Sequence, residues 1–295
     1  MLEWFICPDN VTIPVKECLA CTTKCRCGNV CLTQPTRKEI AREREWNGIP
    51  STTQLLNGTM YEFLKLTQPY AVDPDKRMFA LEGTHHHTNL ESMAKELNLP
   101  SELPLSIDRD IFDLLEQEDD GWVLTDYKLW GSYKVAKGLG LVEIGKKPDP
   151  SGELYKISGK WGKAGTPKMV PVFQSVESEV DLKEQELQLN RYRVMLYELG
   201  VSVVRMQLQV TVRDGGLGIA TSRGLDRNSY MIPVRKLDDN KVLEYFDQKS
   251  AKLKWALDGG STEPCSNEEC WDGTRCRDYC EVAIHCSKGL LYKRG

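Results

Sequence analysis

The sequence predicts an α/β fold in which a mixed central sheet is flanked by helices, and three observations predict it. A β-hairpin pattern occupies 111–128, with two β-prone runs around a turn rich in Asp. A helical pattern covers roughly 178–199, and the β-prone run VSVVRMQLQVTV follows it directly. A histidine-bearing helix, the hairpin strands, a second helix and a further strand in this order are typical of an α/β fold with a mixed sheet.

The hairpin reads IFDLLEQEDDGWVLTDYK. If the turn is centred between Asp119 and Asp120, Asp113 lies opposite Asp126 on the neighbouring strand. Side chains alternate along a strand, so Lys128 projects to the same side as Asp126. Two carboxylates and one ammonium group are therefore expected to converge.

Two adjacent carboxylates repel each other unless a cation lies between them. Mg²⁺ and Mn²⁺ prefer oxygen ligands, and an ammonium group beside such an ion can position water or stabilise developing charge. The sequence therefore predicts a Mg²⁺ or Mn²⁺ site at Asp113 and Asp126, with Asp110 or Asp108 as alternatives to Asp113. The bland alternative is an exposed hairpin with a polar face.

A helix that carries three consecutive histidines precedes the hairpin. Its pattern is G-T-x-x-H-x-x-x-E, formed by Gly83, Thr84, His87 and Glu91, and the helix is expected to open near the glycine. Helical periodicity turns His85 toward solvent and does not separate His86 from His87. A neutral imidazole from this helix would be a third metal ligand.

A second helical pattern, Q-x-x-x-Y, follows the hairpin in LQLNRYRVMLYELG. Gln188 and Tyr192 are four residues apart, so they lie one turn apart on one face of a helix. Alone, this spacing indicates very little.

Taken together and in this order, the motifs resemble those of the PD-(D/E)xK nucleases, in particular the RecB-like exonuclease branch that includes the CRISPR adaptation exonucleases. The resemblance implies a restriction-endonuclease-like core and metal-dependent hydrolysis of DNA at single-stranded or duplex ends. It implies that His87 rather than His86 is a ligand, that Asp126 and Lys128 form the DxK motif, and that Gln188 and Tyr192 support the site and contact the strand. It also implies a recombination, helicase or CRISPR adaptation partner.

Composition is compatible with this interpretation. The 295 residues are 40% hydrophobic and 28% charged, as expected for a globular protein long enough to bury a sizeable core. The net charge of −4 does not indicate a nucleic-acid binder, although a local basic groove would suffice. No apolar run is long enough to span a membrane and no export signal precedes the chain, so a cytoplasmic protein is expected.

Eleven cysteines lie at the two ends of the chain, and none lies in the 233 residues between them. Thiols segregated in this way indicate metal ligands more readily than disulfides. The first group, in residues 1–35, predicts a Zn²⁺ module with four thiolates, the alternative being a reduced, partly disordered leader. The thiols of this group are Cys7, Cys18, Cys21, Cys25, Cys27 and Cys31. Cys7, Cys18, Cys21 and Cys25 are the candidate ligands, although the spacing does not identify which four of the six bind the ion.

The second group lies in residues 261–295, and its thiols are Cys265, Cys270, Cys276, Cys280 and Cys286. Similar nucleases hold an iron–sulfur cluster with a C-terminal cysteine triplet and one N-terminal cysteine. The resemblance therefore implies a [4Fe-4S] cluster on Cys276, Cys280, Cys286 and Cys31, with a second Zn²⁺ site at Cys265 or Cys270 as the alternative. The cysteine that relatives carry near Gly58 is missing, and His285 is expected to pack rather than bind metal.

The chain is expected to divide into three parts, which are the N-terminal cysteine group over 1–35, a core over 36–260 and the C-terminal cysteine group over 261–295. Helices are expected over 36–47, from an N-cap at Ser51 or Thr52, over 132–140 and over 240–257, and 101–110 is expected to be a polar lead-in to the hairpin.

A basic insertion covers 145–170, with six lysines against two acids and with Tyr155 and Trp161 interleaved. It predicts either a clamp for single-stranded nucleic acid or an ordinary lysine-rich surface loop. The overall functional hypothesis is a metal-dependent DNA exonuclease. The alternative is a non-catalytic nucleic-acid-binding or adaptor protein built on cysteine metal modules.

Overall fold

The computed structural model describes residues 1–21, 25, 28, 31–43, 45–106, 109–160 and 162–293. The strands are β1 (Leu2–Ile6), β2 (Thr12–Pro14), β3 (Tyr70–Val72), β4 (Ser101–Ser106), β5 (Arg109–Glu118), β6 (Gly121–Trp130), β7 (Leu141–Pro148), β8 (Met169–Ser175), β9 (Val203–Val212) and β10 (Ser229–Val234). The helices are α1 (Val15–Ala20), α2 (Gln34–Ile40), α3 (Thr52–Leu56), α4 (Thr59–Thr67), α5 (Met78–Glu96), α6 (Ser132–Gly138), α7 (Lys183–Glu198), α8 (Gly218–Thr221), α9 (Asp239–Leu257), α10 (Thr274–Asp278) and α11 (Ser287–Lys293).

A five-stranded mixed sheet in the order β10-β9-β6-β5-β4 confirms the α/β class. β6 and β9 are parallel, and the other neighbours are antiparallel. α7 lies in the connection between the two parallel strands, as a crossover requires. Its Leu189 is fully buried with Leu124 and Leu208 of the sheet. On the opposite face, α5 packs through Ala94 against Tyr127.

The β5–β6 hairpin has the predicted register. Leu115 pairs with Leu124 and Leu114 with Thr125, around a turn at Asp119 and Asp120. The two-residue turn sets this register, because Glu118 pairs with Gly121 across Asp119 and Asp120.

Several predicted boundaries differ from the structure. The stretch 101–110 is not a polar lead-in, because β4 pairs with β5 as an edge strand that tolerates Pro104. α5 begins at Met78, not near Gly83, and the helix expected over 36–47 ends at Ile40, beyond which Arg42 is exposed. Asp108 and Cys27 lie outside the described residues.

The helix predicted from Ser51 is divided in two at Asn57 and Gly58. Ser51 is its N-cap, and a capping box with Gln54 satisfies the first backbone amides. The predicted helices over 132–140 and 240–257 are present as α6 and α9, and β10 was not predicted.

Both cysteine-rich ends pack on the segment that contains α4 and β3. β1 pairs in parallel with β3. From the other end, Val282 and Cys286 share a buried cluster with Tyr70 of β3. The ring of His285 lies 2.8 Å from the carbonyl oxygen of Pro69, so this histidine packs as expected.

The basic insertion belongs to an arm formed by β7 and β8, which make a two-stranded antiparallel sheet apart from the central one. The two ends of the arm meet where Val176 donates a backbone hydrogen bond to Gly140. Trp161 lies outside the described residues. No helix in the described part of the chain is long and apolar enough to cross a membrane.

Asp110 joins the sheet to α3. Its buried carboxylate accepts hydrogen bonds from the backbone amide of Thr52 at 2.5 Å and from the hydroxyl of Ser106 at 3.1 Å. Thr52 is the first residue of α3, so the carboxylate also meets the positive end of the helix. Asp110, an alternative metal ligand in the sequence analysis, therefore has structural partners.

We expect Asp110→Ala to lower the free energy of unfolding by about 2–3 kcal/mol, because it strands a buried amide and hydroxyl. Urea unfolding followed by circular dichroism measures this loss. Asp119→Ala, in the exposed hairpin turn, is the control and should change stability by less than about 0.5 kcal/mol. Equal stability of the two variants would contradict the role of Asp110 in joining the sheet to α3.

Candidate metal centre

Three elements bring the four predicted catalytic side chains together. β5 supplies Asp113, β6 supplies Asp126 and Lys128, and α5 supplies His87. Nδ1 of His87 lies 3.4 Å from Oδ2 of Asp113, and Nζ of Lys128 lies 2.6 Å from Oδ2 of Asp126. Asp113 also accepts a hydrogen bond of 2.6 Å from the backbone amide of Tyr127, which ties its carboxylate to the strand that carries Asp126.

Glu102 is a fifth member of the site that the sequence analysis missed. Its Oε1 atom lies 3.6 Å from Nδ1 of His87. One ligand atom from each of His87, Glu102 and Asp113 falls within 4.8 Å of the others, a spacing suited to a common cation. No sequence signal marked Glu102, because its strand was interpreted as a polar loop.

The backbone of Glu102 is unusual. Its φ of 49° is in the left-handed region, which costs a residue with a side chain roughly 1 kcal/mol or more. This conformation interrupts the normal alternation of β4 and accompanies the contact of the carboxylate with His87.

The three consecutive histidines have different surroundings. The rings of His86 and His87 both lie edge-on to Tyr127, with centroids 6.4 and 6.1 Å away, and His87 in addition faces the carboxylate of Asp113. His85 is exposed, as the periodicity predicted. The geometry thus separates His86 from His87, which periodicity alone did not.

Gln188 and Tyr192 of α7 approach the site from the other side. The side-chain amide nitrogen of Gln188 is 3.4 Å from Oδ1 of Asp126 and 3.4 Å from the hydroxyl of Tyr192. Gln188 can therefore hold the orientation of Asp126. Tyr192 is buried, and burial raises the pKa of its hydroxyl, which keeps it a neutral hydrogen-bonding group.

The electrostatics indicate a site that lacks one positive charge. Hydrogen bonds to Asp113 and then Glu102 raise the pKa of His87 to about 10, and burial raises the pKa of Asp126 to about 6 against the opposing effect of Lys128. Burial acts to lower the pKa of Lys128, but the charges of Asp126 and Asp113 reverse this, so its pKa is raised. Lys128 and a protonated His87 together carry one positive charge fewer than the three carboxylates Asp113, Asp126 and Glu102 require. A divalent cation in place of the His87 proton would remove this deficit.

Metal affinity should therefore rise with pH, since a ligand binds a cation only after losing its proton. Because the pKa of His87 is about 10, we expect the Kd for Mn²⁺ to fall about tenfold per pH unit between about pH 7 and 9. Isothermal titration calorimetry in buffers of different ionisation enthalpy measures the affinity and the released proton.

His87→Gln should bind Mn²⁺ more weakly and with little pH dependence in that range. His85→Gln, at the exposed neighbour, is the matched control and should behave like the wild type. An unchanged pH dependence in His87→Gln would remove His87 from the ligand set.

A second polar cluster lies at the C-terminal end, where five thiols line one small apolar cavity against α4. They are Cys265, Cys270, Cys276, Cys280 and Cys286. Burial raises the pKa of Cys276 and of Cys280 to about 11 each, so both thiols stay protonated at neutral pH unless a cationic group binds them. Cys31, expected in this set, is exposed and does not line the cavity.

Cys265 packs directly against Gly58. A Cβ atom on Gly58 would lie 2.3 Å from Sγ of Cys265, so the absent side chain of Gly58 leaves the room that Cys265 fills. The position near Gly58 is thus supplied with a thiol from another part of the chain. The sequence does not reveal this contact between Gly58 and Cys265, because the two residues are remote along the chain.

The N-terminal thiols lie around α1. Cys7 and Cys18 are buried, and Cys21 and Cys25 are partly buried. The guanidinium group of buried Arg37 donates to the carbonyl oxygens of Cys18 at 2.7 Å and Cys21 at 3.0 Å. The described cysteines form no disulfide.

No family model matches the chain, and no curated protein matches it. Among solved structures the chain is similar to one described as the crystal structure of SSO0001, with 12% sequence identity and a TM-score of 0.41 over 94% of this chain and 95% of that chain. A similarity at this level carries no argument about function. The functional interpretation therefore depends on the residues of the two clusters.

Proposed function

We propose that the protein is a metal-dependent DNA exonuclease with a PD-(D/E)xK core that hydrolyses phosphodiester bonds, with a preference for single-stranded ends. The observation that carries the proposal is the pairing of His87 with Asp113 and of Lys128 with Asp126, with the Asp113 carboxylate bonded to the backbone of the strand that carries Asp126. These groups suit the hydrolysis of a phosphodiester, in which the attacking water is activated and the negative charge that develops on the phosphate oxygens is stabilised.

His87, Glu102, Asp113 and Asp126 would hold Mg²⁺ or Mn²⁺. When bound, the ion lowers the pKa of a coordinated water and polarises the scissile phosphate. These residues offer carboxylate oxygens and one imidazole nitrogen. The mixed donor set suits Mn²⁺, and its oxygen atoms also suit Mg²⁺.

Lys128 supplies a fixed positive charge. Its raised pKa keeps the ammonium group protonated, so it donates hydrogen bonds and cannot act as a base at neutral pH. It can orient the attacking water through a lone pair and stabilise the equatorial oxygens of the phosphate as negative charge develops. Gln188 acts through Asp126, whose carboxylate it holds in place, and is a positioning residue.

We expect Lys128→Met to reduce cleavage of end-labelled single-stranded DNA about 10²–10³-fold, while DNA binding changes only a few-fold. Gel analysis with Mn²⁺, and separately with Mg²⁺, measures the rate. Lys137→Met is the matched control, because Lys137 is exposed on the helix that follows β6.

Equal cleavage by wild type, Lys128→Met and Lys137→Met would assign the activity to another centre or to a contaminant. DNA binding by the wild type without any cleavage would instead favour the adaptor protein. Release of nucleotides from ends, as against internal cuts in a circular strand, distinguishes an exonuclease from an endonuclease.

We propose that the C-terminal thiol group binds a [4Fe-4S] cluster through Cys265, Cys270, Cys276 and Cys286. Cys276 interacts with the other three, and Cys265 takes the place near Gly58. Cys280 also interacts with Cys276 and, like Cys286, packs beside Val282 and Tyr70, so it is the alternative fourth ligand. The N-terminal thiols, with Cys7, Cys18, Cys21 and Cys25 preferred, would bind Zn²⁺ beside the positive charge of Arg37.

We expect Cys265→Ser to lower the iron content and visible absorbance of anaerobically purified protein by at least half, because it removes one of four ligands. Cys280→Ser is the control and should retain both. Metal analysis for iron and zinc measures the outcome. Zinc without iron would replace the cluster by a second Zn²⁺ site, and a larger loss in Cys280→Ser would exchange the roles of the two thiols.

A further inference from the structure

Two exposed aromatic side chains lie at the edge of the sheet where β6 and β9 end. Phe79 and Tyr133 are 60% and 63% exposed, although aromatic rings of this size are usually covered. Tyr133 is on α6, directly after β6, and Phe79 is in the first turn of α5. Neither belongs to the metal centre or to the hydrophobic core.

An arginine lies over each ring. Cζ of Arg213 is 3.9 Å from the ring centroid of Phe79, and Cζ of Arg223 is 5.7 Å from that of Tyr133. Arg213 follows β9 and donates its backbone amide to the carbonyl of Trp130 at 2.8 Å. Both pairs therefore stand on the same edge of the sheet, because Trp130 and Val212 end paired parallel strands.

The second arginine is held rigidly. Nη1 of Arg223 donates to the hydroxyl of Ser132 at 2.6 Å and lies 3.8 Å from Oδ2 of Asp214. Asp214 in turn accepts the backbone amide of Ser132 at 2.6 Å. This network fixes the guanidinium group beside Tyr133 before any ligand binds.

Gly83 lies between Phe79 and the metal centre. Phe79, Gly83 and His87 are spaced by four residues on α5, so they form one stripe along the helix, about 12 Å from first to last. A Cβ atom on Gly83 would meet nothing within 4 Å. Packing within the protein thus does not require this glycine, which weakens the helix but leaves an open path from Phe79 to His87.

Exposed aromatic rings stack bases of any sequence, and arginine supplies both a stacking plane and a charge for phosphate. A duplex end shields its bases inside the helix, whereas a single strand presents them. The 12 Å stripe would span three to four nucleotides at about 3.4 Å for each stacked nucleotide of one strand. The chemistry of the edge therefore matches a single strand.

We propose that the pairs Phe79–Arg213 and Tyr133–Arg223 form a binding track for one nucleic-acid strand, which passes Gly83 to reach His87 and the carboxylates. This track rests on the proposed nuclease function and deepens it, because it selects single-stranded ends as the substrate. It also gives Arg213 and Arg223 the role of contacting phosphates. A protein with a net negative charge needs such local positive groups to bind nucleic acid.

Fluorescence anisotropy with a labelled single-stranded oligonucleotide, in EDTA so that no cleavage occurs, tests the track on the full chain. Phe79→Ala and Tyr133→Ala should each weaken binding about 5–20-fold, since each removes one stacking surface. Arg213→Gln should reduce the slope of log Kobs against log salt concentration by about 0.7. Binding of a blunt duplex should change less than about twofold in all three.

Gly83→Leu should weaken binding of the same strand by at least about fivefold while the Tm stays equal or rises, because leucine favours the helix and blocks the stripe. Two controls match these variants. Tyr197→Ala removes an aromatic that is 72% exposed near the opposite edge of the sheet, and Thr88→Leu adds the same side chain on the far face of α5.

Wild-type affinity for the single strand in Phe79→Ala and Tyr133→Ala would overturn the track, as would equal losses in Tyr197→Ala. Equal weakening of duplex and single strand would overturn the single strand as its occupant. These outcomes differ from failure of the nuclease. A wild type that binds the strand in EDTA but never cleaves it with Mn²⁺ would contradict the proposed nuclease activity and would still support the binding track.

Discussion

The charge balance around Asp113 and Asp126 is the constraint on which the site depends. The hairpin register brings two acids together in a buried place, where neither can stay ionised without a positive neighbour. Lys128 supplies one permanent charge at 2.6 Å from Asp126, and His87 supplies a second by holding a proton. In the proposed metal centre, a cation would replace the proton of His87.

Five elements meet at this point, and β4 supplies Glu102. β5 and β6 supply the acids, α5 closes one side with its histidine, and α7 reaches Asp126 through Gln188 from the other side. Asp110 joins α3 to the sheet only three residues before Asp113, so the acid strand is anchored on both sides. The beginning of β5 thus serves both the stability of the fold and the position of the site, because a loss of packing there would also move Asp113.

The parts of the site that the sequence predicted are those specified by local geometry. The hairpin register follows from a two-residue turn, and the shared face of Gln188 and Tyr192 follows from the helix period. Glu102 escaped prediction because its left-handed backbone and Pro104 break the pattern of β4. Cys265 escaped because its place beside Gly58 is a tertiary contact, which no spacing along the chain encodes. α2 was overextended because charged residues with good helix propensity continue past Ile40, whereas the hydrophobic cluster on which the helix packs ends with Ile40 and Ala41.

The β7–β8 arm has a consequence for how this protein can vary. Its two ends are joined by the hydrogen bond between Val176 and Gly140, and neither of its strands belongs to the central sheet. The central sheet therefore forms without the arm. The entropy of closing a loop grows only slowly with its length, so a longer or shorter arm would burden folding very little. The lysine-rich hairpin is in this sense an exchangeable module, and changes in substrate preference could accumulate there without any cost to the centre that holds the acids.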